Sequence, residues 1–139
     1  AVLFCSVHQL PLYPHSGEQH ETGLEAGKHT TVNVPLPPGA EGPLYMDALE
    51  TAILPAIEAF DPQLILLSAG FDAHRLDPLA GMLLENRDFH ALTRLAVELA
   101  ERHCSGRLVS ILEGGYHLDA LPQSVCEHVR ALSDQESIC

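Results

Sequence analysis

The feature that most restricts the fold is a run of large apolar residues at positions 64–67, which leads through small residues into a carboxylate, Asp72. A second apolar run, at positions 108–112, leads into a pair of glycines and then Tyr116. Strands that are apolar throughout are typical of parallel sheets covered by helices on both faces. Such sheets carry their chemistry at the carboxyl ends of the strands, so Asp72 and Tyr116 are expected to face one crevice.

The rest of the pattern predicts an α/β order of strand, loop, strand, helix, strand, helix, strand, helix. Besides the two apolar runs, we predict strands at residues 2–7 and 30–34 and helices at residues 43–60, 86–104 and 119–132. Pro55 lies inside the first helical pattern and is expected to kink it or to mark its last turns. Asn86 is the predicted cap of the second helix, and Gly106 its stop.

Size and charge limit the class of protein. The 139 residues, of which 46% are hydrophobic, fit one domain. The formal charge of −12 argues against nucleic acid as a partner, because phosphate binding depends on Lys and Arg. No apolar run is long enough to span a bilayer, which predicts no membrane partner. Four cysteines without CxxC spacing, and no secretory signal before them, predict a cytoplasmic protein.

The segment SAGFDAH leaves three roles open for Asp72, which could be a metal ligand, a general base or a capping residue in the turn. The small residues at positions 68–70 allow a tight turn that aims the carboxylate into the crevice. His74 suggests an Asp-x-His metal pair. The preferred interpretation of His74 is a solvated loop histidine, because the RLDP that follows it has an exposed character.

The segment LEGGYH presents Tyr116 after two glycines that allow the backbone to approach a ligand closely. A tyrosine hydroxyl can donate a hydrogen bond to an oxygen that becomes negative when a carbonyl is attacked. An aromatic ring that covers the edge of the sheet explains Tyr116 equally well, and Glu113 is either a catalytic acid or a structural acceptor. The turns that carry Asp72 and Tyr116 follow neighbouring strands, which favours a functional site over two unrelated structural turns.

Four segments, in order, resemble the zinc-dependent histone deacetylase superfamily, closest to its bacterial and class II members. They are CSVHQLPLYPHSG, TTVNVPLPPG, LILLSAGFDAHRLDPLAG and SILEGGYHL. The resemblance implies the arginase and deacetylase fold, an α/β fold with a mostly parallel sheet sandwiched by helices. It also implies that residues 1–139 are the C-terminal part of a single deacetylase-like catalytic domain, present here as a partial domain.

The resemblance implies roles for individual residues. Asp72 matches a zinc-binding aspartate, and Tyr116 matches the catalytic tyrosine that, with zinc, polarises the scissile carbonyl. Gly114 matches a position whose carbonyl faces the substrate. Tyr13 falls where the family has an aromatic wall of the acyl-lysine tunnel, usually Phe. Leu79 matches a rim residue that is Leu in some class II members and Glu in acetylpolyamine deacetylases, so it disfavours the polyamine specialisation.

The resemblance also implies two metal ions, potassium and zinc. Ser6 and Val7 match positions that supply a hydroxyl and a carbonyl to a structural potassium ion. The family's other zinc ligands, an Asp and a His, and its pair of general-base histidines lie upstream of the equivalent of Val2. Catalytic zinc needs three protein ligands, so we expect these residues by themselves to be inactive and marginally folded.

The sequence therefore predicts a zinc-dependent amide hydrolase that removes acetyl or short acyl groups from lysine or related amines, with an acetylated lysine peptide or acetylated amine as substrate. Two alternatives remain open, namely a noncatalytic binding or remnant module on the same fold and an acetylpolyamine deacetylase. Arginase-type di-manganese chemistry is disfavoured because the chain lacks clustered Asp-x-Asp and Asp-x-His carboxylates. The sequence makes no prediction of oligomeric state.

Overall fold

The computed structural model describes residues 1–133, in which strands and helices alternate in the predicted order. The strands are β1 (Phe4–Gln9), β2 (Thr31–Leu36), β3 (Ile65–Ala69) and β4 (Leu108–Leu112). The α-helices are α1 (Gly42–Ala48), α2 (Leu54–Phe60), α3 (Asn86–Cys104) and α4 (Ala120–Ser133). A single 3₁₀ turn, Glu25–Gly27, interrupts the long loop between β1 and β2. The α/β class predicted from the sequence is confirmed.

The strands form two parallel pairs, β1 with β2 and β3 with β4. In the second pair the register places Ile65 opposite Leu108 and Ala69 opposite Leu112. Because the strands are parallel and in register, their carboxyl ends lie side by side. This geometry brings the turn that contains Asp72 next to the turn that contains Tyr116.

The apolar strands β3 and β4 are covered on one face only within residues 1–133. On the uncovered face, which we call the outer face, Leu66, Val109 and Ile111 are 66%, 47% and 52% exposed. On the opposite face, Ser110 reaches helix α4 through a hydrogen bond of 2.8 Å between its Oγ and His128 Nε2. Burial on both faces, expected from the apolar pattern, is therefore not met by the described residues, as is appropriate for a partial domain.

The helical segment predicted at residues 43–60 is continuous, but its middle is wider than an α-helix. Residues Leu49–Ile53 form a π-helical stretch between α1 and α2. Pro55 follows that stretch in the first turn of α2. Proline has no N–H, and its ring crowds the carbonyl four residues before it, so the wider turn accommodates Pro55 without ending the helix.

Helix α3 has the predicted bounds but not the predicted cap. Glu85, not Asn86, is the N-terminal cap, and its side chain and that of Asp88 form a reciprocal capping box. The Asn86 side chain instead binds α4, where its Oδ1 accepts a hydrogen bond of 2.9 Å from Ser124 Oγ. The helix ends at Cys104 and is followed by Ser105, which has a left-handed backbone with φ of 53°, and then by Gly106.

The core lies where α1, the ends of the strands and the start of α3 meet. Its buried members are Leu36, Ala40, Tyr45, Ala48, Phe71, Met82, Leu84 and Phe89. Phe71 and Phe89 contact each other with ring centroids 5.2 Å apart. Phe71 directly precedes Asp72, so the core fixes the backbone from which that carboxylate projects. Among residues 1–133, no helix combines the length and the apolar character required to cross a membrane.

A buried histidine joins α4 to both α3 and β4. His128 Nδ1 lies 2.7 Å from Thr93 Oγ1, and the Thr93 hydroxyl donates to the carbonyl of Phe89 at 2.6 Å. The imidazole must therefore donate from Nδ1 and accept from Ser110 at Nε2. Burial lowers the pKa of His128, in keeping with a neutral ring.

Candidate active site

Backbone hydrogen bonds tie the turn after β3 to the turn after β4. The amide of Glu113 donates to the carbonyl of Ala69 at 3.0 Å, which extends the strand pairing. The amide of Phe71 then donates to the carbonyl of Gly114 at 2.8 Å. Asp72 and Tyr116 are therefore carried by one hydrogen-bonded unit, as the parallel arrangement predicts.

The two glycines before Tyr116 are required by close packing. A Cβ atom on Gly114 would lie 2.7 Å from Asp72 Oδ2, so the backbone of that turn contacts the carboxylate. A Cβ on Gly115 would lie 2.7 Å from a methyl carbon of Leu121, and Gly115 also has a φ of 133° that favours glycine. The Gly114 carbonyl already accepts from Phe71, so its predicted role towards substrate remains a prediction that depends on its second lone pair.

The carboxylate of Asp72 is surrounded by negative charge. Burial raises its pKa most, the charge of Asp77 raises it further and that of Glu113 adds to the effect, whereas backbone amides at Asp72 and Ala73 lower it. The charge of Asp72 also acts on Tyr45, whose pKa is raised mainly by burial and further by that carboxylate. A cation beside Asp72 would favour its ionised form.

The donors of this chain do not form a zinc site by themselves. Within the described residues, no three His, Cys, Asp or Glu side chains cluster closely enough to hold a metal ion. Catalytic zinc takes three protein ligands, so Asp72 can be only one member of such a set. The part of the chain that the structure describes supplies no histidine to complete it.

His74 is buried, and its interpretation as a solvated loop histidine is wrong. It is 5% exposed, its ring stacks on Phe89 with centroids 6.3 Å apart, and its Nδ1 accepts the amide of Leu76 at 3.2 Å. Burial is the main cause that lowers its pKa. The sequence interpretation was wrong because Arg75 and Leu76, which follow His74, are exposed, whereas His74 itself turns inward.

Asp77 is a site residue that the sequence reasoning missed. It is 8% exposed, its Oδ2 accepts the amide of Tyr116 at 2.8 Å and its Oδ1 accepts the amide of Leu79 at 2.9 Å. The bond to Leu79, two residues on, is a local turn interaction that an Asp-Pro-Leu segment could have suggested. The bond to Tyr116 spans 39 positions and has no signal in the sequence.

The two predicted substrate-binding side chains, Leu79 and Tyr13, lie on different loops. Leu79 is 62% exposed on the loop after Asp77, and its rim role remains a prediction. Tyr13, which is 85% exposed, lines a cleft of about 730 Å³ together with Ser6, and neither Asp72 nor Tyr116 is part of that lining. The wall role of Tyr13 remains a prediction.

The predicted potassium ligands lie on β1. The hydroxyl oxygen of Ser6 is hydrogen-bonded to His8 Nδ1 at 2.8 Å, and Val7 packs against the core. A cation would therefore share the Ser6 hydroxyl with His8. Whether Ser6 and Val7 bind potassium also remains a prediction.

Comparison with known proteins defines the class. The family model of the histone deacetylase domain matches residues 1–132, and the chain belongs to that family. A probable deacetylase of Archaeoglobus fulgidus is 48% identical over 122 residues, which are 87% of this chain and 34% of the relative. Histone deacetylase 10, chloroplastic, of Oryza sativa subsp. japonica is 42% identical over 137 residues, which are 99% of this chain and 31% of the relative.

A bacterial relative and a solved structure agree with this placement. The histone deacetylase-like amidohydrolase of Pseudomonas aeruginosa is 45% identical over 117 residues, which are 83% of this chain and 30% of the relative. The crystal structure of the HDA15 HD domain superposes with a TM-score of 0.89 at 32% identity, covering 99% of this chain and 38% of that one. The predicted family and fold are thus confirmed, and the chain spans about a third of the length of the relatives it matches.

Proposed function

We propose that this chain forms the C-terminal part of a zinc-dependent amide hydrolase that removes acetyl or short acyl groups from lysine side chains or related amines. One observation carries the proposal, namely the contact between the backbone of Gly114 and the carboxylate of Asp72. That contact places the tyrosine turn and the candidate zinc ligand at one end of the sheet. Deacetylase and amidohydrolase relatives support the same reaction class.

The two side chains would have different roles. Tyr116 is 54% exposed, so its hydroxyl is accessible to a substrate, and it would donate a hydrogen bond to the carbonyl oxygen as negative charge develops there. Asp72 would supply one zinc ligand. The cation would stabilise its ionised carboxylate, which the charges of Asp77 and Glu113 destabilise. The other ligands and the general base would come from sequence outside these 139 residues. The residues as given would then lack deacetylase activity.

The surroundings favour an acylated lysine peptide as the substrate. Leu79 is apolar and exposed at the rim, where a carboxylate would be needed to attract the distal ammonium of a polyamine. Tyr13 would provide an aromatic wall, and Gly114 a backbone contact. Ser6 and Val7 would contribute to a potassium site, and the net charge of −12 gives no reason to add a nucleic-acid partner.

A noncatalytic module on the same fold is the competing function. A binding module needs neither a half-buried carboxylate for a metal nor an exposed hydroxyl on the neighbouring turn. Asp72 and Tyr116 are present together and are held in one hydrogen-bonded unit, which favours the enzyme.

The test uses the protein encoded by the complete reading frame that contains this chain. Release of acetate from an acetyl-lysine peptide is measured for the wild type, for Tyr116→Phe and for Tyr13→Phe. Both variants lose one exposed tyrosine hydroxyl, but Tyr13→Phe creates the residue that is usual in the family, so we expect it to keep nearly normal turnover. Activity that is lost in Tyr116→Phe alone supports the proposal. A zinc-loaded wild type that releases no acyl group from acetylated or short-acylated lysine peptides or from acetylated amines rejects it.

A further inference from the structure

We infer that Asp77 is a positioning residue that holds the backbone of Tyr116 and the rim residue Leu79 in fixed relation to each other. The inference rests on the proposed function and deepens it. One carboxylate oxygen accepts the amide of Tyr116 at 2.8 Å, and the other accepts the amide of Leu79 at 2.9 Å. A single buried side chain thus binds the segment that would bear the oxyanion donor and the segment that would form the entrance.

The backbone of Tyr116 needs such a support. Two glycines precede it, and Gly115 adopts a conformation that few other residues allow, so no side chain directly before Tyr116 anchors its backbone. On the other side, His117 turns back on the start of α4, where its Nδ1 accepts the amide of Ala120 at 3.2 Å. Between these two points, Asp77 is the group that binds the amide of Tyr116.

The rim loop is restrained at several other points, so Asp77 connects Tyr116 to a stable base. The amide of Gly81 donates to Gln9 Oε1 at 2.7 Å, and the carbonyl of Gly81 accepts the amide of Gly39 at 2.7 Å. The amide of Leu83 donates to the carbonyl of Ala40 at 2.9 Å. The hydrogen bond from this loop therefore restrains the backbone of Tyr116 relative to the core.

A purely local role does not account for Asp77. An aspartate that only stabilises its own turn needs the bond to Leu79, two residues on, and nothing more. Asp77 is buried, and its second oxygen accepts an amide 39 residues away. Hydrogen bonds between a carboxylate and backbone amides are stronger than neutral ones, and displacement of a reacting group by about 1 Å can cost a hundredfold in rate.

The test compares Asp77→Asn with Asp88→Asn in the complete protein. Asparagine has one acceptor oxygen, so it can keep one of the two amide bonds and must present an NH₂ group to the other. Asp88 is the matched control, because its carboxylate also accepts a backbone amide, that of Glu85 at 2.7 Å, but does so in the cap of α3 and not in the turns of Tyr116 and Leu79. We expect Asp77→Asn to lower kcat roughly 10- to 100-fold with zinc content unchanged, and Asp88→Asn to leave kcat unchanged.

A double-mutant cycle separates positioning from general support of the fold. If Asp77 acts through Tyr116, the double variant Asp77→Asn, Tyr116→Phe turns over no more slowly than Tyr116→Phe alone. Losses that multiply, or a normal kcat in Asp77→Asn, overturn the inference while leaving the proposed function intact. If Asp77→Asn yields no folded protein, the cycle is run with Asp77→Glu, which keeps the charge but displaces it by one methylene.

Amide hydrogen exchange supplies a readout that does not depend on activity. In Asp77→Asn the amide that loses its acceptor, that of Tyr116 or that of Leu79, should exchange at least roughly tenfold faster than in the wild type, and in Asp88→Asn both amides should exchange at the wild-type rate. Unchanged exchange at both Tyr116 and Leu79 in Asp77→Asn overturns the inference even if the wild type proves to have no deacetylase activity. The proposed function fails on a different result, namely absent activity in the zinc-loaded wild type.

Discussion

Gly114 lies so close to Asp72 that a Cβ atom on the glycine would stand 2.7 Å from the carboxylate oxygen Oδ2. The backbone of the turn after β4 thus packs against the Asp72 side chain in the turn after β3. Any change to residue 114 must act on Asp72 directly, and this gives the first prediction.

Gly114→Ala is expected to displace the Asp72 carboxylate. We expect zinc affinity and acetyl-lysine turnover to fall together in the complete protein, each by roughly tenfold or more, the scale on which small displacements at a reacting centre act. Gly27→Ala is the control, because a Cβ there would meet only the Thr30 hydroxyl at an ordinary 3.5 Å. Normal zinc affinity in Gly114→Ala would show that Asp72 tolerates the added methyl group or does not bind zinc.

Asp72→Ala should abolish zinc retention in the complete protein, whereas His74→Ala should keep the metal. Asp72 is the predicted metal ligand, whereas His74 is a buried residue that stacks on Phe89 and whose Nδ1 already accepts a backbone amide. His74→Ala is instead expected to lower the free energy of unfolding by about 1–3 kcal/mol through lost packing. Metal analysis of both purified variants decides the matter, and stoichiometric zinc in Asp72→Ala ends the ligand assignment.

Tyr116→Phe should lower turnover of an acetyl-lysine substrate by roughly a hundredfold or more while zinc stays bound, the usual scale for removal of an oxyanion donor. The side chain is half exposed, so loss of its hydroxyl should leave stability close to that of the wild type. Steady-state kinetics and thermal unfolding of the same preparation test both statements. Near-normal turnover would mean that Tyr116 only packs.

Leu79→Glu should shift preference towards acetylated polyamines, since a carboxylate at the rim would attract their distal ammonium. The side chain is exposed, so the substitution should be tolerated by the fold. The ratio of the rates on an acetyl-lysine peptide and on an acetylated polyamine is the measurement. If that ratio stays constant, Leu79 does not lie at the entrance.

The sequence predicted the elements well and predicted contacts between distant segments poorly. Strand β4 and helix α3 have the predicted bounds. The signals that set these bounds are local in the sequence, namely the spacing of apolar residues and the left-handed turn at residues 105–106 that ends the helix. The role of Asp77 depends on a partner 39 residues away, and the burial of His74 depends on the ring of Phe89. The type of a residue does not indicate which distant residue the fold brings into contact with it.

Acid should destabilise the protein partly through His128. Burial lowers its pKa below the ordinary 6.5, so between those two values the unfolded chain binds more protons than the folded one. The contribution to stability is therefore fully present above pH 6.5 and is lost as the pH falls through the lowered pKa. Replacement of His128 with glutamine should flatten the fall in unfolding free energy between pH 7 and about pH 5.

The fall should flatten without vanishing, because the pKa of His74 is lowered as well. His20→Gln, at an exposed position, is the control and should keep the wild-type slope. Urea denaturation at a series of pH values gives the slopes. Equal slopes for His128→Gln and wild type would show that the imidazole of His128 can be protonated in place.

The uncovered outer face of β3 and β4 has a consequence for the cell. A polypeptide limited to these residues would display Leu66, Val109 and Ile111 side by side on paired strands, an apolar stripe of the kind that chaperones bind and proteolytic quality control removes. Its abundance would then be set by its clearance as well as by its synthesis. Attaching sequence that covers the stripe should lengthen its half-life even when that sequence contributes no catalytic group.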